Sequence, residues 1–417
     1  MKKLILSAAI GIGTVFGINA ADKETFTYEG LIYNVLSRAD KTCEVGRHDY
    51  KDTSLAKGSV VIPPKAIYEG EEYTVTALGD SAFYGNGQMT ALSIPETVTT
   101  IKKCAISQTL MLFELRIPDS VTEVESRGVY GNRSIGTLVI SSNLREINRE
   151  AFNGNSGLTA IVIPDGVETI HDDAFNYCSR VTRVIIGSGV TTIGKMAFAG
   201  LGALQRVSIP ANVRQIGDEA FSYCERLATV TFEESTQPLA LGTNVFGHGI
   251  YATNPNNEAW CRLKTLNLDR PWTCPSTTVT DLPFSTRSTL QTINIGPNVK
   301  SIPANSFAGC DNVTAINITG SVFPSVSSSA FTQSAFSNAT LTVPESMLPT
   351  YKAHSVWGRF SKIVGASESG ITDIEADPTN RVVEYYDLSG RRIDNPAAPG
   401  IYIVRRADGS TGKILIR

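Results

Sequence analysis

The chain has 417 residues, with 37 Lys+Arg against 40 Asp+Glu for a net charge of −3, and 18% of its residues are charged. This composition excludes extended disorder and gives no basic footprint for nucleic acid, while the length allows a large core. No stretch reaches the ~18 consecutive apolar residues of a spanning helix.

Met1-Lys2-Lys3, the apolar run from Leu4 to Ile18 and the small residues Ala20 and Ala21 read as a secretory signal peptide over residues 1–20. The expected location is therefore secreted or cell-surface, in a bacterium. Residues 21–78 alternate as strands, with Glu29-Gly30 and Gly70 as turns and Val60-Val61-Ile62 as a lone strand. They form a β-rich N-terminal cap.

From residue 79 one pattern recurs every 23 residues. Its strand isoleucine stands at Ile94, Ile117, Ile140, Ile163, Ile186 and Ile209, and its bulky anchor at Phe83, Ile106, Val129, Phe152, Phe175, Phe198 and Phe221. A fixed period of this size is the mark of a solenoid, in which no unit buries its apolar face alone. Each unit reads as a strand (Leu-x-Ile), a short extended piece (Val-x-x-Ile) and an Ala-Phe turn. Pro95, Pro118, Pro164 and Pro210 close strands because proline has no N–H for a ladder. Register holds to Phe232. Leu268, Ile295, Ile318 and Val343 then continue the strand position across irregular steps, and Phe246, Phe307 and Phe331 continue the anchor. The insertion spans residues 233–290, and a short helix over 344–364 closes the stack. A polar linker (365–380) leads to a β-rich tail (381–417).

The unit Ala-Phe-x-x-Cys-x-x-Leu-x-x-Val-x-Ile-Pro-x-x-Val-x-x-Ile-Gly resembles the BspA-type leucine-rich repeat of bacterial surface proteins, most closely over Val190 to Phe198. The resemblance implies a mainly β, curved leucine-rich-repeat β-solenoid that mediates adhesion and protein binding, without catalytic residues or cofactors. The tail, through Pro399-Gly400-Ile401-Tyr402-Ile403-Val404 and Lys413-Ile414-Leu415-Ile416-Arg417, is similar to type IX secretion sorting domains, which implies a surface-retention module.

In Leu-x-Ile the apolar pair faces inward and its neighbours face solvent. The middle exposed column runs Ser93, Arg116, Val139, Val162, Ile185, Ser208, Thr231, Asn267, Asn294, Asn317 and Thr342. Val139, Val162 and Ile185, rimmed by Arg116, Arg183 and Arg206, form an apolar patch suited to a host or bacterial surface or matrix protein. Asn267, Asn294 and Asn317 should stack as an amide ladder. A second candidate is the insertion, where Tyr251, Trp260 and Trp272 either pack the loop onto the solenoid or stack on a glycan.

Seven cysteines at wide spacing do not make a disulfide framework. Cys178, Cys224 and Cys310 share one column as buried thiols, since two turns at ~4.8 Å each exceed disulfide reach. Cys261 and Cys274 could pair. The four histidines show no metal spacing, and Glu233 and Glu234 have no convergent carboxylate. No catalytic or metal site is expected.

Overall fold

The computed structural model describes residues 24–48, 56–247 and 261–366, and the backbone of residues 382–386, 392–393, 400–406 and 411–416. The leader read at residues 1–20 lies outside them.

The fold is a β-solenoid of about 12 turns held by two parallel ladders. The first is built from the Leu-x-Ile strands, such as Glu114–Arg116, Thr137–Val139, Ala160–Val162, Arg183–Ile185 and Arg206–Ile209. Its pairs sit one period apart, as in Thr137↔Glu114, Val162↔Ile185 and Val207↔Val230. Two-residue strands such as Thr169–Ile170, Thr192–Ile193 and Gln215–Ile216 form the second. Alternation sends Leu115, Ile161, Val184 and Val207 inward, where all are buried.

The anchor phenylalanines stack through the core. Phe152, Phe175, Phe198, Phe221 and Phe246 lie face to face at 5.3, 5.6, 5.3 and 5.7 Å between ring centres. Phe284 then continues the column to Phe307, at 6.2 and 6.1 Å. The 23-residue step does not reach Phe284, because the insertion displaces it. In most turns the approach to the anchor is tight enough to force a left-handed residue two places before it. Arg127, Glu150, Asp173, Met196 and Glu219 all have φ between 52° and 59°. Such a conformation costs a non-glycine residue on the order of 1 kcal/mol. Hydrogen bonds to the next turn hold it, as where Phe175 N–H donates to Ala197 and Tyr177 N–H to Ala199, at 2.8 and 2.9 Å.

At the N-terminal end, hairpins Thr25–Tyr28/Leu31–Ser37 and Lys65–Tyr68/Glu71–Leu78 cover the stack. His48 is the outermost rung of the aromatic column, stacked on Phe83 at 5.2 Å. Its Nε2 accepts from the Ile32 N–H at 3.0 Å, so the proton sits on Nδ1, which faces the Ala82 carbonyl. The strand Gly58–Val61 does not stand alone: it pairs in parallel with Met89–Ser93 and begins the first ladder.

At the other end, helix Leu348–Ala353 is followed by a further strand, Lys362–Ala366, which extends the ladder into residues expected to be linker. Trp357 is buried there and donates from Nε1 to the Pro324 carbonyl at 3.2 Å. The tail strands 382–386, 392–393, 400–406 and 411–416 form their own antiparallel sheet.

All seven cysteines are free, including Cys261 and Cys274. The cysteine column does more than fill space. Cys178, Cys224 and Cys310 donate to the carbonyls of Phe152, Phe198 and Phe284 at 3.4, 3.4 and 3.1 Å. Asn132 and Asn155 make the equivalent bond to Ile106 and Val129, both at 2.8 Å. The column thus secures the carbonyl of the preceding anchor. Burial pushes the Cys178 thiol up to about 12, so it stays protonated and inert.

Candidate interaction surface

The six residues singled out on the first ladder lie on one face. Val139 pairs with Arg116, Val162 with Ile185 and Ala160 with Arg183. The strand carrying Arg206 lies beside that of Arg183. All six are exposed, Val162 to 51%. Three large apolar side chains on consecutive strands therefore point to solvent.

The apolar surface is larger than the sequence reading made it. Leu110, Met111 and Phe113 are exposed, Phe113 to 57%, in the loop that runs into strand Glu114–Arg116. The Gly136 N–H donates to the Phe113 carbonyl at 2.9 Å, which sets this loop beside the strand carrying Val139. Other turns carry Arg133 and Ser156 where this one has Leu110, and Ser134 and Arg180 where it has Met111. A large apolar residue in a column of small or polar ones was the signal. The patch ends at Ser208, whose hydroxyl donates to Glu233 at 2.9 Å.

Further along the same column the expected amide ladder is present. Asn267 donates to the Thr231 hydroxyl, Asn294 to the Asn267 carbonyl oxygen and Asn317 to that of Asn294, at 2.9, 2.6 and 2.8 Å.

In the insertion Trp272 takes the packed arrangement and not the glycan-facing one. Trp272 is only 8% exposed, lies in strand Trp272–Thr273 against Leu239 and packs edge-on to Phe284 at 5.8 Å. Its ring is part of the core and cannot stack on a sugar. Tyr251 and Trp260 lie outside the described residues. Arg270, fully buried, ties the insertion down by donating to the carbonyls of Pro210, Val213 and Gln237 at 3.3, 2.7 and 3.2 Å. Arg287, also buried, occupies the position held by cysteine or asparagine in other turns. Its Nε and Nη2 meet no acceptor among the described residues, and burial lowers its pKa.

A trough of about 430 Å³ crosses four strands of the second ladder, between His171 and Pro275. Its charges serve the stack: Asp172 accepts from the Lys195 N–H and Asp218 from the Thr243 N–H, both at 2.7 Å. His171 is half-exposed and meets Glu146 at 2.8 Å. Gly194 and Gly217 lie so close to the preceding turn that a Cβ would come within 2.6 Å of its backbone. No cluster of three metal-ligating side chains occurs among the described residues, and no helix there is long and apolar enough to cross a membrane.

Residues 76–201, 147–249 and 260–352 match the family model of the BspA type leucine rich repeat region, in six copies. Among solved structures the chain is similar to a leucine-rich repeat protein from Bacteroides ovatus, at 22% identity and TM-score 0.49, over 77% of this chain and 79% of that one. It is also similar to the pneumococcal vaccine antigen PcpA, at 15% identity and TM-score 0.40, over 82% and 99%. A leucine rich cell surface protein from Faecalibacterium prausnitzii gives 20% identity and TM-score 0.37, over 86% and 99%. No curated protein matches. With its repeats matched over more than half of its length, the chain belongs to the BspA-type leucine-rich repeat family.

Proposed function

We propose that this protein is a non-enzymatic, secreted or surface-attached adhesion module that holds another protein against the open part of its first ladder. One observation carries the reading: Val139, Val162 and Ile185 stand exposed on consecutive strands of one face. Exposed contiguous apolar surface costs solubility and is used where a partner covers it. The extracytoplasmic location rests on the leader-like start and on a family commonly associated with surfaces. Residues 381–417 are the part proposed to retain the protein at the cell surface. The glycan alternative loses Trp272 to the core.

The test is binding of the purified full chain to a panel of host matrix and bacterial surface proteins, beside a glycan array. Val139→Glu/Ile185→Glu should abolish protein binding with thermal melting unchanged. Binding that survives this substitution would remove the site from this face.

A further inference from the structure

The order of residues along the exposed face is complementary to itself. Its turns run from strand Glu114–Arg116 to strand Arg206–Ile209, with Ala160–Val162 in the middle. A twofold axis along the strand direction, through Val162, reverses the order of the turns and keeps each outward column opposite itself. Val139 then meets Ile185 of a second copy, and Val162 meets Val162. Arg183 faces the Thr137 hydroxyl, an acceptor. Arg116 comes opposite Ser208. Arg116 is exposed and makes no hydrogen bond or ion pair among the described residues. Glu233, exposed in the next turn, brings its carboxylate to Ser208, whose hydroxyl donates to Oε1 at 2.9 Å, while Oε2 has no partner among the described residues. The axis thus delivers a guanidinium to a carboxylate at each end of the patch. A twofold axis along the stack would instead set Arg116 against Arg116, which repel. Shape agrees with charge. Leu110 and Met111 stand out from the first turn, and the same positions of the last are the half-buried Gly202 and Ala203, which leave room for them. Arg206 is already engaged within its own chain and takes no part.

Resting on the interface reading above, we infer that the partner on this face is a second copy of this chain, docked face to face about that axis, with Arg116 of each copy paired to Glu233 of the other. The apolar strip supplies most of the affinity, and the two charge pairs fix which turn meets which. Strands at ~4.8 Å spacing, flanked by the loops that lead into them, present on the order of 500 Å² per copy and about 1,000 Å² in total. That is the low end for specific interfaces, where association is reversible and weak. Weak contacts of this kind add up where many copies face one another in opposed arrays.

The test is analytical ultracentrifugation of the purified full chain from about 1 μM to 1 mM, at 50 and 250 mM salt. A reversible dimer should form in the micromolar range and weaken severalfold at the higher salt. Arg116→Glu and Glu233→Arg should each weaken it at least tenfold. Mixing these two variants in equal amounts should restore it as a heterodimer, because both cross-pairs are then of opposite charge. Val139→Glu/Ile185→Glu should leave a monomer. A dimer that persists in that double variant forms elsewhere and would overturn the inference. So would a dimer indifferent to the two charge reversals, or one that their mixture does not regain. A chain that stays monomeric at every concentration would overturn it as well. Binding of a matrix or surface protein, lost in Val139→Glu/Ile185→Glu, would then show that the interface reading survives; no such binding would remove both.

Discussion

From Thr231 to Asn317, the side chains of the exposed column bond to one another along the stack, each amide donating to the residue one turn before. From Arg116 to Ile185 the same column carries arginine, two valines and an isoleucine, which have no such way to satisfy one another. The backbone is the same in both regions. The amide stretch therefore contributes to holding the turns together, while the apolar stretch contributes little to the fold and is available to a partner. In a solenoid each turn contacts only its neighbours, so the two regions can be changed separately.

Breaking what the regions share should have the largest effect. Phe198 is fully buried between Phe175 and Phe221. Phe198→Ala should cost about 3–5 kcal/mol in denaturant titration, because the neighbouring turns cannot collapse into the hole. Arg287→Leu should go the other way. It removes a buried guanidinium two of whose nitrogens meet no acceptor among the described residues, and installs the residue that Leu201 supplies at the same position of its own turn. The expected gain is about 1–3 kcal/mol by the same titration; a loss would show that the guanidinium has a partner. The smallest effect belongs to the ladder itself. Asn294→Ala leaves the Asn267 carbonyl oxygen and the Asn317 amide without their partner, at half-exposed positions, and should cost about 1 kcal/mol while leaving partner binding untouched.

Period and alternation made most of the architecture legible. They gave the register, the anchor column and the amide ladder, because a strict 23-residue step leaves one way to align the turns. What the step could not reach was local. Phe284 lies 38 residues after Phe246, so no fixed spacing finds it, although its ring fills the same column. The left-handed conformations of Arg127, Glu150 and Asp173 are set by the closeness of successive turns, not by glycine. Trp272 was open to either a packed or a glycan-facing reading because insertions lie on loops, and its strand places the ring in the core. Leu110, Met111 and Phe113 are large apolar residues in columns of small or polar ones, but they lie in the loop before the strand, where alternation does not fix a face. The six outward residues of the patch were found because alternation fixes the face of a strand. Their partner was not, because nothing in a repeat encodes what covers it.

The contrast between the two stretches is tested most directly by making one into the other. Val139→Asn/Val162→Asn/Ile185→Asn extends the amide ladder along the apolar stretch. The measurement is the affinity of this triple variant for a panel protein that the parent captures, alongside its melting temperature. Melting unchanged or raised, with affinity reduced at least a hundredfold, is the predicted result. Affinity within twofold of the parent at unchanged melting would contradict the assignment of this stretch as the binding surface.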